Sequence, residues 1–284
     1  MNGLSLPPLN IPALLRRYDL RPSKGLGQNF LQDNHALQEI VSAADLGPEE
    51  AVLEIGPGLG SLTRYLALSA LSVTAVELDR KLFPALESVL APYKNVRLVQ
   101  GDILKLNPAE LMETPDYIVV ANIPYYITSV VIRHLLEAEQ RPSRVVLTVQ
   151  KEVAERICAG AGRMSLLALS VQVYGKPVIG TIIPAEAFYP PPKVDSVVLC
   201  IEIYAQPIIP ADRLDRFFIL IKAGFSQKRK TLRNALSGGL RVTTVESEQL
   251  LAAAGIDPQR RAETLSLEEW GNLVKEPTAP SKNF

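Results

Sequence analysis

The sequence predicts an α/β protein with a doubly wound, Rossmann-like sheet of seven strands and a small all-α domain after it. Short apolar strands alternate with helical patterns between Ala51 and Tyr204, as in a sheet built from βαβ units. From Asp212 onward the pattern is wholly helical. We therefore expect two domains, 1–207 with an N-terminal extension over 1–30, and 208–284.

Composition and charge narrow the class of protein. The chain has 284 residues, of which 47% are hydrophobic and 21% charged, which is ordinary for a globular protein. It contains no apolar run long enough to span a membrane and no signal-peptide pattern, so we expect a cytoplasmic protein without membrane contact. Two cysteines are too few for a disulfide framework or a zinc site. Because 30 basic residues balance 30 acidic ones, any nucleic-acid contact requires a local basic patch.

The N-terminal residues lead into a glycine-punctuated segment. Residues 1–12 are proline-rich with little periodicity, and we expect them to be loosely ordered. In the segment Arg21–Leu31, two glycines would let the backbone approach a ligand or another part of the chain. Asp33 is typical of an N-cap for a helix through about Ala44.

The next stretch has the order strand, glycine loop, helix, which opens many nucleotide-binding domains. Residues 51–55 form the predicted strand, Gly56-Pro57-Gly58-Leu59-Gly60 the loop, and 61–70 the helix. A second strand, 72–76, ends at Glu77, where an acid that binds ribose hydroxyls is expected. A third strand, 96–100, ends at Gly101-Asp102.

The loop spacing and the acids favour a cofactor without phosphates. The glycines follow G-x-G-x-G instead of the dinucleotide pattern G-x-G-x-x-G, and acids stand at Glu54, Glu77 and Asp102. S-adenosylmethionine has an ammonium group and a sulfonium, whose positive charges carboxylates can oppose. It also has a ribose diol and an adenine amine, from which carboxylates can accept hydrogen bonds. Each acid taken alone is more often the cap of a neighbouring helix, and only the three strand-end acids together favour a nucleoside ligand. The sequence contains no P-loop, no Ser/His/Asp arrangement and no paired-histidine metal motif, so we expect no metal.

An apolar strand is predicted over 117–121, and the loop at its C-terminal end contains Asn122-Ile123-Pro124-Tyr125. The Asn122 side chain offers an acceptor, and Pro124 helps to hold the Ile123 carbonyl outward. Two acceptors could therefore converge on one flat amine, while Tyr125 stacks on the attached base. The alternative is an ordinary turn that ends the strand.

The remaining elements follow in order. The loop Phe188–Ser196 is rich in prolines that would hold Phe188 in a fixed pose, although a plain connector with a buried Phe is an alternative. Helices are predicted at 129–139, 151–158, 165–174, 212–223, 231–236, 246–254 and 266–274, and strands at 144–149, 178–183 and 197–204.

A basic run opens the helical domain. It comprises Lys222, Lys228, Arg229, Lys230 and Arg233 without an intervening acid, and Lys193 lies in the loop after Phe188. Such a run favours phosphate binding, with a solvated helix face as the alternative.

With these residues assembled, the chain resembles the ribosomal RNA adenine dimethyltransferases over nearly its whole length. The matching stretches are Gln28–Leu31, Glu54–Gly60, Glu77, Gly101-Asp102, Asn122–Tyr125, the F-x-P-x-P-x-V-x-S series of Phe188, Pro190, Pro192, Val194 and Ser196, and Phe225–Leu236. Two departures stand out: Tyr126 replaces a common Asn, and the stretch Ala159–Met164 is short.

The resemblance implies roles for particular residues. The cofactor contacts would be Asn29, Leu31, Gly56, Gly58, Glu77, Asp102 and Asn122, and the target base would be held by Asn122, Ile123, Pro124, Tyr125 and Phe188. Independently of the resemblance, their charge leads us to expect that RNA phosphates are bound by Lys193, Lys228, Arg229, Lys230 and Arg233. The resemblance also implies the methyltransferase sheet as the fold and S-adenosyl-L-methionine as the cofactor.

The resemblance also implies a reaction and a substrate. The expected reaction is dimethylation of the N6 amines of two adjacent adenosines near the 3′ end of 16S rRNA, within an immature small ribosomal subunit, by a monomer. Two alternatives share the motifs: a large-subunit rRNA methyltransferase of the antibiotic-resistance type, and a non-catalytic nucleic-acid-binding or transcription factor. A nicotinamide-linked dehydrogenase is disfavoured by the loop spacing.

Overall fold

A computed structural model of the chain describes residues 6–276. Its strands are β1 (Phe30–Leu31), β2 (Ala51–Ile55), β3 (Ser72–Glu77), β4 (Val96–Gln100), β5 (Tyr117–Ala121), β6 (Arg144–Gln150), β7 (Gly175–Ile183), β8 (Phe188–Tyr189) and β9 (Ser196–Ile203). Its α-helices are α1 (Ile11–Arg17), α2 (Asn34–Ala44), α3 (Ser61–Ser69), α4 (Phe83–Leu90), α5 (Pro108–Leu111), α6 (Thr128–Leu136), α7 (Lys151–Ile157), α8 (Leu166–Gln172), α9 (Leu214–Phe225), α10 (Leu232–Leu240), α11 (Thr244–Ala253) and α12 (Leu267–Lys275).

Among the described residues, seven strands form one sheet in the order β4-β3-β2-β5-β6-β9-β7. The pairs β2–β3, β2–β5, β3–β4 and β5–β6 are parallel, whereas β9 runs antiparallel to β6. The C-terminal ends of β2, β3, β4 and β5 therefore lie at one edge, where open α/β sheets bind ligands. The α/β fold class with a seven-stranded sheet, predicted from the sequence, is confirmed.

The central strands form because their residues are apolar on both faces, apart from Glu54 in β2. All five residues of β2 and all five of β5 are buried, as expected for strands covered on both sides. The adjoining helices begin at recognisable caps: the Asp33 side chain accepts from Ala36 N at 2.8 Å and starts α2, as predicted. Leu37 and Ile40 of this helix join Val52 and Val120 in the core.

The sequence did not predict helix α1 or the small second sheet. Of the proline-rich stretch 1–12, residues 1–5 lie outside the described part of the chain, and α1 begins at Ile11 with Asn10 as its N-cap. Ile11 and Leu15, one turn apart, are buried against Phe30 and Leu59. Strand β1 pairs antiparallel with β8, which brings the predicted loop segments around Leu31 and Phe188 together.

The chain divides into two compact units. One runs to Ala154 and resumes over Pro177–Ile203, and the other comprises Glu155–Lys176 and the chain from Tyr204 onward. The boundary predicted after residue 207 lies close to the change of unit between Ile203 and Tyr204. The sequence did not assign residues 155–176 to the helical unit. These residues belong there because α8 packs on α9, where Tyr174 stacks on Phe218 with ring centroids 6.3 Å apart.

The helical unit is held by a buried aromatic residue. Trp270 of α12 is fully buried, and its ring lies so close to Gly224 of α9 that a Cβ there would approach Trp270 Cη2 to 2.5 Å. The predicted cap of α12 is present: Ser266 accepts from Glu269 N, and Glu269 accepts from Ser266 N. Within residues 6–276, no helix combines the length and apolar character needed to cross a membrane.

Candidate active site

A cavity opens at the C-terminal ends of the central strands. It encloses about 1080 Å³, part of it open to solvent, and lies entirely within the unit that contains the sheet. Every residue predicted to bind the cofactor or the target base lines it, namely Asn29, Leu31, Gly56, Gly58, Glu77, Asp102, Asn122, Ile123, Pro124, Tyr125 and Phe188. Lys193 does not line this cavity, and neither does the basic run of the helical unit.

The glycine loop has a shape that other residues would not adopt easily. Gly56 and Gly58 have φ values of 72° and 59°, in the left-handed region that favours glycine. A Cβ on Gly58 would also approach Phe30 Cδ1 to 3.0 Å. The loop therefore exposes backbone to the cavity, and the Phe30 ring, which also lines the cavity, packs against Gly58.

Glu77, at the end of β3, is nearly buried and holds the loop in place. Its Oε2 accepts from Gly58 N at 3.0 Å and its Oε1 accepts from Asp79 N at 2.8 Å. Burial raises the pKa of Glu77, and these backbone donors oppose the rise. Leu78 provides a further backbone hydrogen bond, so three of the about four acceptor positions of the carboxylate are used and Glu77 can still accept a hydrogen bond from a ribose hydroxyl.

Asp102 follows β4 and lies at the next strand end. Its Oδ1 accepts from Leu104 N at 3.1 Å, and Oδ2 lies 3.9 Å from Lys105 Nζ. This carboxylate is half-buried and keeps acceptor capacity toward the cavity. Glu77 and Asp102 thus provide two neighbouring acceptors of the kind that a nucleoside needs.

Asn122 is oriented by the N-terminal segment. Its Nδ2 donates to Asn29 O at 3.4 Å, and Asn29 Nδ2 donates to Gly27 O at 3.2 Å. With its nitrogen facing Asn29, Asn122 keeps its Oδ1 available, and no described residue donates to this oxygen. The loop continues through Pro124, whose φ of −56° and ψ of 135° lead into a turn over Tyr125–Ile127.

The aromatic residues that line the cavity differ in exposure. Tyr125 is half-buried, and its hydroxyl shares a 2.6 Å hydrogen bond with Ser196 Oγ. Tyr126 is 64% exposed and lies beside Gly27 where it lines the cavity. Phe188 is only 2% exposed, packing in the core while it lines the cavity.

Two features of the site go beyond the sequence analysis, which gave Gln28 no role and counted Glu54 only among the three strand-end acids. Gln28 Nε2 donates to Asp79 Oδ2 at 2.9 Å, which ties the N-terminal segment to the end of β3. Glu54 lines the cavity, fully buried, and its Oε2 has no hydrogen-bond partner among the described residues. In the sequence, these two features were indicated only by the polar pair Gln28-Asn29 and by a charged residue inside an apolar strand.

Burial raises the pKa of Glu54 from 4.5 to about 8, with the Thr63 side chain opposing the shift and the Glu77 charge adding to it. Between these pH values the folded chain holds a proton that the unfolded chain releases. The stabilisation is therefore complete below about pH 4.5 and is lost as the pH rises toward 8.

We expect Glu54→Gln, which cannot ionise, to flatten this dependence. In calorimetric unfolding without cofactor, wild-type Tm should fall relative to the variant by several °C between pH 5 and pH 8, since each pKa unit corresponds to about 1.4 kcal/mol. Glu87→Gln, an exposed control on α4, should keep the wild-type dependence. Parallel curves for wild type and Glu54→Gln would contradict a neutral buried carboxyl.

The predicted RNA-binding residues lie in both units. Lys228, Arg229 and Lys230 are exposed between α9 and α10. Arg233 differs from expectation, because its guanidinium lies 3.8 Å from Glu248 of α11 and is partly compensated by an acid distant in sequence. Lys193 lies in the other unit, in the exposed loop after β8. Among residues 6–276, no group of three or more His, Cys, Asp or Glu side chains is placed to hold a metal ion.

Comparison with known proteins gives consistent matches over most of the chain. The family model described as ribosomal RNA adenine dimethylase matches residues 21–278. Ribosomal RNA small subunit methyltransferase A of Dehalococcoides mccartyi (strain CBDB1) is 49% identical over 264 residues, covering 93% of this chain and 91% of that protein. The protein of the same name from Alkaliphilus metalliredigens (strain QYMF) is 42% identical over 279 residues, covering 96% and 97%.

Two solved structures resemble this chain over most of its length. The 23S rRNA methyltransferase ErmE superposes with a TM-score of 0.71 at 28% identity, covering 87% of this chain and 98% of that one. A dimethyladenosine transferase from Plasmodium falciparum also gives 0.71, at 26% identity, covering 86% and 95%. With the family model matching most of its length, this chain belongs to the ribosomal RNA adenine dimethylases, S-adenosylmethionine-dependent enzymes that methylate adenine in rRNA.

Proposed function

We propose that the chain dimethylates the N6 amines of two adjacent adenosines in the 3′-terminal hairpin of 16S rRNA. The substrate would be an immature small ribosomal subunit, and the enzyme would act as a monomer in the cytoplasm. The observation that carries the chemistry is the unbonded Asn122 Oδ1 at the end of β5, facing a cavity lined by Glu77 and Asp102. Relatives named small subunit methyltransferase A, 40–49% identical, support the choice of subunit.

The donors and acceptors of the cavity fit S-adenosylmethionine. Glu77 and Asp102 would accept from its hydroxyl and amine groups, and the backbone of the loop at Gly56 and Gly58 would lie against it. Asn29 and Leu31 would close the cavity from the N-terminal segment. When bound, this cofactor supplies a methyl group activated by a positively charged sulfur.

The chain's contribution to the transfer is to position and polarise the adenine amine. Asn122 Oδ1 and the Ile123 carbonyl would accept its two N–H groups, which favours a pyramidal nitrogen and stabilises charge as it develops there. Pro124 has no N–H and restricts the backbone that aims the Ile123 carbonyl. Tyr125 and Phe188 would bind the ring of a base flipped out of its stack. No nucleophilic side chain is required, because the adenine N6 would itself accept the methyl group once it is oriented toward it. The proton on N6 becomes acidic on alkylation and would leave to solvent without a dedicated base.

Methyl transfer to three RNA substrates tests the proposed function. Radiolabelled methyl groups should enter undermethylated small-subunit particles, and dimethyladenosine should appear at two adjacent positions. Naked 16S rRNA and large-subunit rRNA, run in parallel, should accept far less. Preferential labelling of large-subunit rRNA would favour the alternative suggested by the structural likeness to ErmE. Absence of transfer to every RNA, with RNA still bound, would favour a non-catalytic binding protein.

We further propose that the domain of 1–207 holds the cofactor while the helical domain of 208–284 grips RNA phosphates. Lys228, Arg229 and Lys230 support this, because all three are exposed and none forms an ion pair with a described residue. Arg233 and Lys193 would add phosphate contacts. Phosphate contacts position an RNA without reading its sequence, so specificity would remain with the cavity.

Replacing Lys228, Arg229 and Lys230 together by Ala should weaken RNA binding and its salt dependence. Each lost phosphate contact reduces the slope of log K against log salt by about 0.7–0.9, so the triple variant should lose roughly 2–3 in slope. Affinity for S-adenosylmethionine should stay at the wild-type value. Lys94, Lys176 and Lys275 are also exposed but scattered, and their triple replacement removes the same charge as a control. Equal slopes for the two triple variants would show that the basic run is only a solvated surface.

A further inference from the structure

We propose that the adjacent residues Asp195 and Ser196 hold in place the two aromatic rings that would receive the target base. Ser196 does so by its hydrogen bond to the Tyr125 hydroxyl, and Asp195 by its hydrogen bond to the turn before Phe188. We call these two contacts the brace. This inference rests on the proposed function and adds two positioning residues to it. Ser196 ends the F-x-P-x-P-x-V-x-S series, and neither residue lines the cavity itself.

The first half of the brace is the hydrogen bond between Ser196 and Tyr125. Their hydroxyl oxygens are 2.6 Å apart, although the residues are separated by 71 positions. Ser196 is fully buried at the start of β9, where it is paired with Gln150 of β6. Ser196 is therefore fixed to the sheet.

The hydrogen bond acts at the far end of the Tyr125 ring. The turn over Tyr125–Ile127 fixes the Cα of this residue, but rotation about χ1 and χ2 would still let a half-buried phenol move. A bond to the phenolic oxygen removes that freedom. Burial raises the pKa of Tyr125 while the Ser196 bond opposes the rise, so the phenol remains protonated at neutral pH.

The second half of the brace is the Asp195 carboxylate. Its Oδ1 accepts from Ala185 N at 3.0 Å, at the first residue of the turn Ala185–Ala187. Phe188 follows that turn directly and pairs with Leu31 in the small β1–β8 sheet. Because Ala187 O also accepts from Gln32 N at 2.9 Å, the turn is held from both sides.

Asp195 and Ser196, which are adjacent in sequence, thus contact the segments that hold two aromatic rings far apart in sequence. Tyr125 comes from the loop after β5 and Phe188 from the segment between β7 and β9. A planar base stacks well only if the rings are held at the correct separation and angle. Because a misplacement of about 1 Å can reduce a rate by as much as 10², an indirect contact of this kind should be visible in turnover.

A double-mutant cycle between the two hydroxyls tests the first half. Tyr125→Phe keeps the ring and Ser196→Ala keeps the strand, so each removes little more than one side of the hydrogen bond. We expect each single variant to lower kcat by about tenfold, and the double variant to be no slower than either. Affinity for S-adenosylmethionine, measured by calorimetry, should remain unchanged in all three.

The second half is tested by comparing two replacements of Asp195. Asp195→Ala removes the acceptor for Ala185 N and should lower kcat severalfold, whereas Asp195→Asn keeps Oδ1 and should restore most of the rate. Thr148→Val provides a control for the loss of a buried hydroxyl. Thr148 lies on β6 opposite Val198, its hydroxyl has no partner among the described residues, and the variant should keep the wild-type kcat.

Several outcomes would overturn the brace. These are wild-type kcat in a folded Ser196→Ala protein, additive effects of Tyr125→Phe and Ser196→Ala, and failure of Asp195→Asn to exceed Asp195→Ala. Tyr125→Phe retains the ring and should fold even if Ser196→Ala does not, so its wild-type kcat would also count against the proposal. A wild-type enzyme that methylates no rRNA would instead refute the proposed function.

Discussion

Asn122→Ala should lower the rate of methyl transfer by about 10²–10³ while cofactor affinity changes by less than about threefold. The Asn122 amide donates to Asn29 O, and its Oδ1 is free to accept from the target amine. That acceptor bond matters most as positive charge develops on N6, so its loss raises the barrier more than it weakens ground-state binding. Single-turnover kinetics with saturating RNA would measure the chemical step, and calorimetry would measure cofactor binding.

The matched control for this prediction is another asparagine outside the cavity. Asn107 is exposed and caps α5 by accepting from Ala109 N at 3.1 Å, so Asn107→Ala should leave the rate of methyl transfer unchanged. Near-normal turnover in Asn122→Ala would show that this amide only supports the Asn29 segment. A loss of cofactor affinity equal to the loss of rate would indicate uniform binding instead of transition-state stabilisation.

Glu77→Ala should weaken binding of S-adenosylmethionine at least tenfold. Loss of a charged hydrogen-bond partner costs about 1.5–3 kcal/mol, which corresponds to roughly 10- to 150-fold in Kd. Two effects act together here, because the same carboxylate that would accept from the ribose also holds Gly58 N and Asp79 N. Calorimetric titration of the purified variant measures the affinity, and circular dichroism checks that it is folded.

Glu77→Gln separates the two effects. Its side-chain carbonyl can replace one of the two acceptors but carries no charge, so its affinity should lie between those of wild type and Glu77→Ala. Unchanged affinity in a folded Glu77→Ala protein would mean that Glu77 serves the loop and not the cofactor.

The parts of this fold that depend on local sequence were predictable. Strands β2 and β5 occupy the residues expected from their apolar runs, because a buried parallel strand is apolar on both faces. Strand β4 also has the predicted bounds, although it is only partly buried. Since such strands end at one edge, Glu77, Asp102 and Asn122 could be expected to meet, and all three line one cavity.

The parts that depend on distant pairing were not predictable. Helix α1 was missed because prolines obscure a short helix whose stability comes from burying Ile11 and Leu15. The Tyr125–Ser196 bond joins positions 71 residues apart, and the charge of Arg233 is compensated by Glu248 of another helix. A single sequence carries no signal for either contact.

The position of α1 also matters for how the chain could be shortened. The matched family region starts at residue 21, yet Ile11 and Leu15 pack against Phe30, whose ring supports Gly58, and against Leu59 of the same loop. A shorter protein that began at residue 21 would uncover these apolar side chains and lose one wall behind the glycine loop. Expression of a minimal catalytic fragment therefore needs α1, so a practical start lies before Asn10.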